Sequence, residues 1–583
     1  MLLIQISILG PVAFEHSIHS EVGCRYDVPV DSLGIPYIPS YEILIAAGGL
    51  PAGTQIGFAH PDGYMGQMRT ARTLKNHLPG CSRYISDRFL TRRYDPGKGY
   101  SIRALKPGQT YTAWLSCAET DRAQTACALE KITRLGIRAP EDGISGEVRV
   151  RLAEQEAPVF EKPVLHEECT YASLDLEILT ISPFCLDTPF SDHAKTELFV
   201  PGTVIRDFLM KRMGACSAIG REQLICSNAY LAFGQERLLP TPVCISVVKL
   251  DRKQLRYRLA PGKDPLLAEQ DVGLEDTFAT GIQEHLTRYT VPGTDPYLAK
   301  DGQVHETIAE GQAFRGTVYG PDAAIRQIAE SVSRFPFAQL GMLTEEGLGE
   351  VYFRIPAVNE AAIPAEQLSR CFDVCCLSDT LILNDRGVPD CRAESLLSEI
   401  EYVLGCPGKL RIIGKYTAIH EDYSRNPRWQ EDRTVVRCLA KGSILRLEAV
   451  DAPLDISRLS HCFLGERTED GYGELAAWPA RGTYYRLAEE LVPDRYEVPV
   501  PLTYRDSVFG AQLTVGVINS MIRERVRNLG LQDRGDLKAG AEKQIPEDLL
   551  HMIRDMYSPV LTDEQLIGWY QDGLTGGADH EDE

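Results

Sequence analysis

Three short glycine-bearing stretches hold the residues best suited to chemistry. Leu340-Gly341-Met-Leu-Thr-Glu-Glu-Gly347-Leu-Gly349-Glu350-Val351 is nearly copied at Leu464-Gly465-Glu-Arg-Thr-Glu-Asp-Gly471-Tyr-Gly473-Glu474-Leu475. A slightly longer version runs from Leu135-Gly136 to Gly143-Ile-Ser-Gly146-Glu147-Val148. In each, Leu-Gly is expected to close a helix, because glycine takes the left-handed conformation that such an ending often needs. A Gly-x-Gly or Gly-x-x-Gly follows, where missing side chains let a second backbone come close. A phosphate chain held by backbone N–H groups is one such visitor. A turn that needs glycine and touches nothing explains a single copy as well. Recurrence at three places weighs against that reading, although common descent alone would also preserve a turn.

Charge adds a second kind of chemistry. The 583 residues carry a formal charge of −21, with 44% hydrophobic and 25% charged residues, the composition of an ordinary globular chain of about three to five domains. Such a balance argues against nonspecific nucleic-acid binding by the whole surface. Its distribution is uneven. Between Tyr64 and Lys106 stand seven Arg, among them Arg88, Arg92 and Arg93, and three Lys against Asp87 and Asp95, with four Tyr and Phe89 interleaved. A second basic and aromatic stretch runs from Lys409 to Arg446, with Tyr416, Tyr423 and Trp429. Cations beside aromatic faces suit single-stranded nucleic acid, which needs phosphate neutralisation and base stacking together; two solvated faces over core aromatics are the plainer alternative. The sixteen Cys are scattered without a Cys-x-x-Cys, and His16-x-x-His19 lacks a visible third ligand, so no metal site is expected. Reduced thiols and a cytoplasmic location fit this usage. No apolar run nears the length of a membrane span, and Ile4, Ile6 and Ile8 alternate like a strand, which argues against a signal peptide.

The elements that position these residues recur in one order. An alternating strand opens each repeat: Ile4, Ile6 and Ile8, then Leu174, Leu176 and Ile178, then Phe372 to Leu377. A polar loop leads to a proline turn at Ile38-Pro39, Val200-Pro201-Gly202 or Val388-Pro389. Helices are expected next at 41–47, 203–213 and 392–404, then turn-plus-strand segments around Gly108, Gly311 and Gly442. Later helices are expected at 120–135 and 322–340, with the third abbreviated, before each glycine loop. This order is that of tandem ferredoxin-like (RRM-like) βαββαβ units of an α+β protein, at 1–160, 165–358 with an insertion at 215–300, and 368–480. Residues 481–583 read as a C-terminal helical extension with an acidic tail. The open sheet face of such a unit is one way to present single-stranded RNA.

The glycine loop, the Ile-Pro or Val-Pro-Gly turn and the order of elements resemble the RAMP superfamily of CRISPR-associated RNA-binding proteins. Leu377 to Pro389, Lys441-Gly-Ser-Ile-Leu and Ala309-Glu-Gly-Gln-Ala-Phe-Arg-Gly together resemble the large multi-module RAMP subunit of type III-D effector complexes, over about residues 1–480. The resemblance implies a crRNA-binding subunit of a type III CRISPR ribonucleoprotein complex in antiviral defence, with crRNA, target RNA and other effector subunits as partners and no membrane. It places RNA contact at Gly143, Gly146, Gly202, Arg206, Gly347, Gly349, Gly471 and Gly473, with Arg88, Arg92 and Arg93 supplying charge. Module one departs from the pattern, with Ser40 and Tyr41 where the family has Gly and Ser and no Lys in the helix that follows. Target-cutting relatives use an Asp in the loop after the first strand. Asp27 and Asp187 stand there, 12 and 14 residues before Pro39 and Pro201. A carboxylate in that place could hold a divalent metal such as Mg or position the attacking 2′-hydroxyl; an Asp forming a local turn is the alternative. Related guide-processing ribonucleases place a catalytic His near this loop, which His16 would match. A non-catalytic RNA-binding subunit that needs no cofactor, an endoribonuclease and a purely structural scaffold thus stand as the three readings.

Overall fold

The computed structural model describes residues 2–486 apart from 15–23, 31–35, 52–53, 62–88, 96–99, 154–162, 187–195, 214–223, 248–253, 260–271, 281–287 and some shorter gaps. The chain is a mixed α+β protein in which one path is followed three times.

In the first unit, β1 (Leu2–Ile8) lies between β2 (Thr110–Ser116) and β3 (Val148–Ala153), antiparallel to both. Its alternation sends Ile4, Ile6 and Ile8 into a core with Leu129 and Ile132, as a period of two requires. Helix α1 (Ser40–Ala47) follows the first strand and α2 (Arg122–Glu130) precedes the last. The short strand after α1 pairs with β2, so the spatial order is second, third, first, fourth. The second unit repeats this order with β4 (Tyr171–Thr180), α3 (Gly202–Met213), β5 (Tyr230–Phe233), β6 (Ala313–Pro321), α4 (Asp322–Arg334) and β7 (Glu350–Arg354). Ala324, Ile325, Ile328, Ala329 and Val332 form the buried stripe of α4, at helical spacing. The third unit has β8 (Cys371–Cys376), α5 (Ala393–Leu404), β9 (Leu410–Tyr416), β10 (Ile444–Ala449) and β11 (Glu474–Pro479) in the same spatial order. A single 3₁₀ turn, Ser457–Leu459, replaces its second helix.

Two expectations need correction. Helix α4 ends at Arg334, not Leu340: Pro336 disfavours helical backbone in the residue before it, and Phe337–Gln339 forms a strand paired with Glu350–Tyr352. Correspondingly, Leu-Gly closes an extended segment in all three copies, since Arg134 bridges Glu147 and Cys462–Phe463 pairs with Leu475 and Glu474. The sheet faces opposite the helices are also less open than the sequence suggested. Leu3 and Trp114 of the first sheet pack on Phe335 and Phe337 of the second unit. Cys375, Ile444 and Trp478 of the third are covered by Ile245, Tyr257 and Leu259 from the insertion. Beneath that cover Arg446 holds Asp373 at 2.7 and 2.8 Å, and the Tyr257 hydroxyl donates to Asp373 at 2.7 Å, so a buried charge pair has the extra bonds it needs. The expected C-terminal helices lie outside the described residues.

Candidate nucleic-acid interface

The three glycine loops share one geometry. Leu135, Leu340 and Leu464 each donate their N–H to the carbonyl of Gly146, Gly349 or Gly473, all at 2.9 Å. Those glycines in turn donate to the carbonyls of Pro11, Pro183 and Asp379 at 3.0, 2.8 and 2.9 Å. Gly143, Gly347 and Gly471 end 3₁₀ turns and donate back to Pro140, Thr344 and Thr468 at 3.1, 3.1 and 3.0 Å. The N–H groups read from sequence as a phosphate cradle are therefore engaged by the chain's own carbonyls. All six glycines have φ between 68° and 92°, a region costly for residues with a Cβ. At Gly349 and Gly473 a Cβ would also collide with the Leu340 or Leu464 carbonyl. Glycine is required there by closeness within the loop.

What meets the loops is the helix start of the preceding unit. Ser40, first residue of α1, donates its N–H and hydroxyl to Glu350 Oε1 at 2.7 and 2.9 Å, and the Tyr41 ring lies against Gly347. A helix N-terminus welcomes an acidic group. Glu350 is fully buried, and burial pushes its carboxyl up to about 7 despite the Ser40 bonds, which act in the other direction. At the next joint Gly202, first residue of α3, lies against Gly471 and the Asp470 carbonyl, its N–H given to Asn228 Oδ1 at 2.9 Å. Arg206 pairs with Asp470, and Arg237 grips the fully buried Glu474 through two bonds of 2.7 and 2.8 Å. Gly202 and Arg206 thus sit at an internal joint.

The remaining residues singled out by sequence are spread apart. Asp27 is 1% exposed and paired with Arg103 through both carboxylate oxygens, while Val28 donates its N–H to Oδ1 at 2.7 Å. Asp187, His16, His19 and Arg88 lie outside the described residues. Arg92 and Arg93 stand on the hairpin strand Leu90–Asp95, where Arg93 is exposed and its guanidinium reaches toward Gly143. Within the second basic stretch Lys415, Arg437 and Arg446 pair with Glu394, Glu421 and Asp373, and Lys441 stands 5.1 Å above the Phe199 ring.

A site that sequence reasoning missed lies where the second and third units meet. Asp379 accepts from the Lys441 N–H at 2.8 Å and holds His420 Nδ1 at 2.7 Å, with the His420 side chain 43% exposed. The hydrogen bond to Asp379 raises the imidazole pKa, against burial; Asp379 is itself held below its usual range, where the partners His420 and Lys441 outweigh the effect of burial. Cys438 completes a set whose ligand atoms lie within 4.8 Å of one another. The donor types would suit a metal ion, although the 2.7 Å bond already satisfies His420 and Asp379 without one. An oriented imidazole beside a lysine can also exchange protons with a ribose hydroxyl. Asp379 and His420 are forty-one residues apart, and no spacing in the sequence signals that they meet.

No family model and no curated protein matches the sequence. Among solved structures, a chain of the type III-B Cmr-beta complex bound to cognate target RNA and AMPPnP is similar over 47% of this chain and 86% of its own, at 10% identity and a TM-score of 0.27. A RAMP protein binding different RNA substrates is similar over 52% of this chain and 99% of its own, at 11% identity and a TM-score of 0.24. A Cas6-related protein from Pyrococcus furiosus is similar over 52% and 98%, at 9% and 0.25.

Proposed function

We propose that the chain is a crRNA-binding structural subunit of a type III, III-D-like, CRISPR RNA-targeting effector complex. Its three units are tandem ferredoxin-like RAMP modules, and its partners are crRNA, target RNA and other effector subunits. The observation that carries the reading is the recurrence of one strand order with one glycine loop at the same structural place in each unit, on the residues by which the sequence resembles RAMP proteins. Two of the loops serve as joints, which moves RNA contact toward exposed basic groups such as Arg93 on the strand Leu90–Asp95. Among the described residues no helix is long and apolar enough to cross a membrane. The test is to purify the chain from its native operon and sequence the RNA it retains. Short RNAs that share a repeat-derived end are expected; random RNA or none refutes the reading.

A second reading, endoribonuclease, is favoured by the Asp379–His420 pair beside Lys441. His420 would take the 2′-hydroxyl proton as the 2′-oxygen bonds to phosphorus and the P–O5′ bond breaks, Lys441 would face the phosphate charge that develops, and the departing 5′-oxygen would take a proton from water. Under it, His420→Ala lowers cleavage of bound RNA at least a hundredfold while guide content stays constant. Unchanged cleavage removes it.

A further inference from the structure

Two complete copies of one docking arrangement lie inside the chain, and half of a third stands at its edge. In both complete copies the start of a helix enters the glycine loop of the following unit. Glu350 and Glu474 become fully buried, and Gly347 and Gly471 are buried with them. The same two positions of the first unit, Gly143 and Glu147, are exposed. One side of that loop is covered from within, since the Tyr100 hydroxyl donates to Asp142 at 3.1 Å. The Arg93 guanidinium also approaches Gly143 from within the chain. We infer that the side left open, centred on Glu147, docks the first helical turn of another chain built from the same unit. The chemistry of the occupant follows from the two filled copies: a proline, then a small first residue such as Ser40 or Gly202, with either the helix's own N–H, as at Ser40, or a cation from elsewhere in the same unit, as Arg237, to meet Glu147.

A second copy of this chain is a poor fit. Among the described residues the corresponding unfilled helix start, that of α5, follows Arg392 where both filled copies have a proline, and Asp390 already accepts from the Arg392 N–H at 3.1 Å and the Ser395 hydroxyl at 2.7 Å. It would also bring the exposed Glu394 to an acidic loop. A heterologous contact with a different chain extends the head-to-tail series by one step. The inference deepens the effector-subunit reading by naming the seat of one neighbouring subunit; it does not require that RNA be held.

The test places the photo-crosslinking residue p-benzoylphenylalanine at position 141 of the full chain, exposed in the turn Pro140–Asp142 beside the loop so that Glu147 is kept, in the assembly purified from the native operon. Irradiation should join it to a Pro-Ser or Pro-Gly helix start of a different subunit. Crosslinks to the 386–396 segment of a second copy, to RNA, or to no other chain overturn the inference. In parallel, Glu147→Arg, at an exposed position, should reduce retention of that subunit at least tenfold, and unchanged retention overturns it too. RNA content in the same samples separates the two proposals: a retained subunit without guide RNA supports the docking and sinks the RNA reading, while guide RNA without the subunit does the reverse.

Discussion

At the joint between the first and second units Glu350 is fully buried and meets the N–H and hydroxyl of Ser40, with no ion-pair partner among the described residues. At the joint between the second and third, Glu474 occupies the same place in the motif and is equally buried, but Arg237 closes on both its oxygens. One residue type in one loop therefore lives in two electrostatic settings. Burial without a cation favours the protonated acid, whereas burial with a matched guanidinium makes the charge part of the packing. A glutamate in a repeated motif need not do the same work in every copy.

The sharpest way to break this comparison is to remove the cation. Arg237→Ala leaves Glu474 buried and unpaired and should cost about 3–5 kcal/mol at that joint, read as lost hydrogen-exchange protection around 202–206 and 470–475. Protection around 40–44 should hardly change, and an equal loss at both joints contradicts the contrast. The next test is pH. The folded Glu350 carboxyl holds its proton up to about 7, whereas an unfolded glutamate releases it near 4.3. The folded chain therefore binds the extra proton between those values, and stability falls as pH rises through them, by up to about 4 kcal/mol, then levels off above. Glu350→Gln keeps an acceptor for Ser40 and should flatten that slope in urea titrations at pH 5 and 8. A slope that survives the substitution assigns it to another group.

Smaller effects sharpen the likeness between the joints. Gly349→Ala and Gly473→Ala should each cost about 1–3 kcal/mol, since both impose a left-handed residue and a collision with a carbonyl. Gly408→Ala has the same backbone strain with open space around it and should cost about 1 kcal/mol. Chemical denaturation of the three variants checks the order. Smallest of all, Arg437→Ala removes an exposed pair with Glu421 and should change stability by less than about 1 kcal/mol.

Much of the architecture could be read before any coordinates. Ile4, Ile6 and Ile8, or Leu174, Leu176 and Ile178, mark buried strand faces because alternation is local and hydrophobicity is strong. The abbreviated last helix of the third unit was also legible, from the little chain left between β10 and the glycine loop. Tertiary neighbours account for what was missed. Leu340 looks like a helix end, yet Phe337 to Gln339 gain more by pairing with Glu350 to Tyr352 than by extending α4 past Pro336. The glycine loops announced a close approach but not its occupant, which at Gly347 and Gly471 proved to be the helix start of another unit. Asp27 drew attention as a lone carboxylate in a loop, and Arg103, which pairs with it, is seventy-six residues away. The pairing of His420 with Asp379 left no trace in residue spacing.

Because the two buried corner glutamates, Glu350 and Glu474, are each matched to a different counterpart, the units are not interchangeable beads. Were the middle unit excised and the outer two spliced together, Ser40 would face Glu474, and the guanidinium that neutralises it would have left with the deleted segment. The sequence of repeats along the chain is thus written into their contacts, and shuffling them would scramble an address.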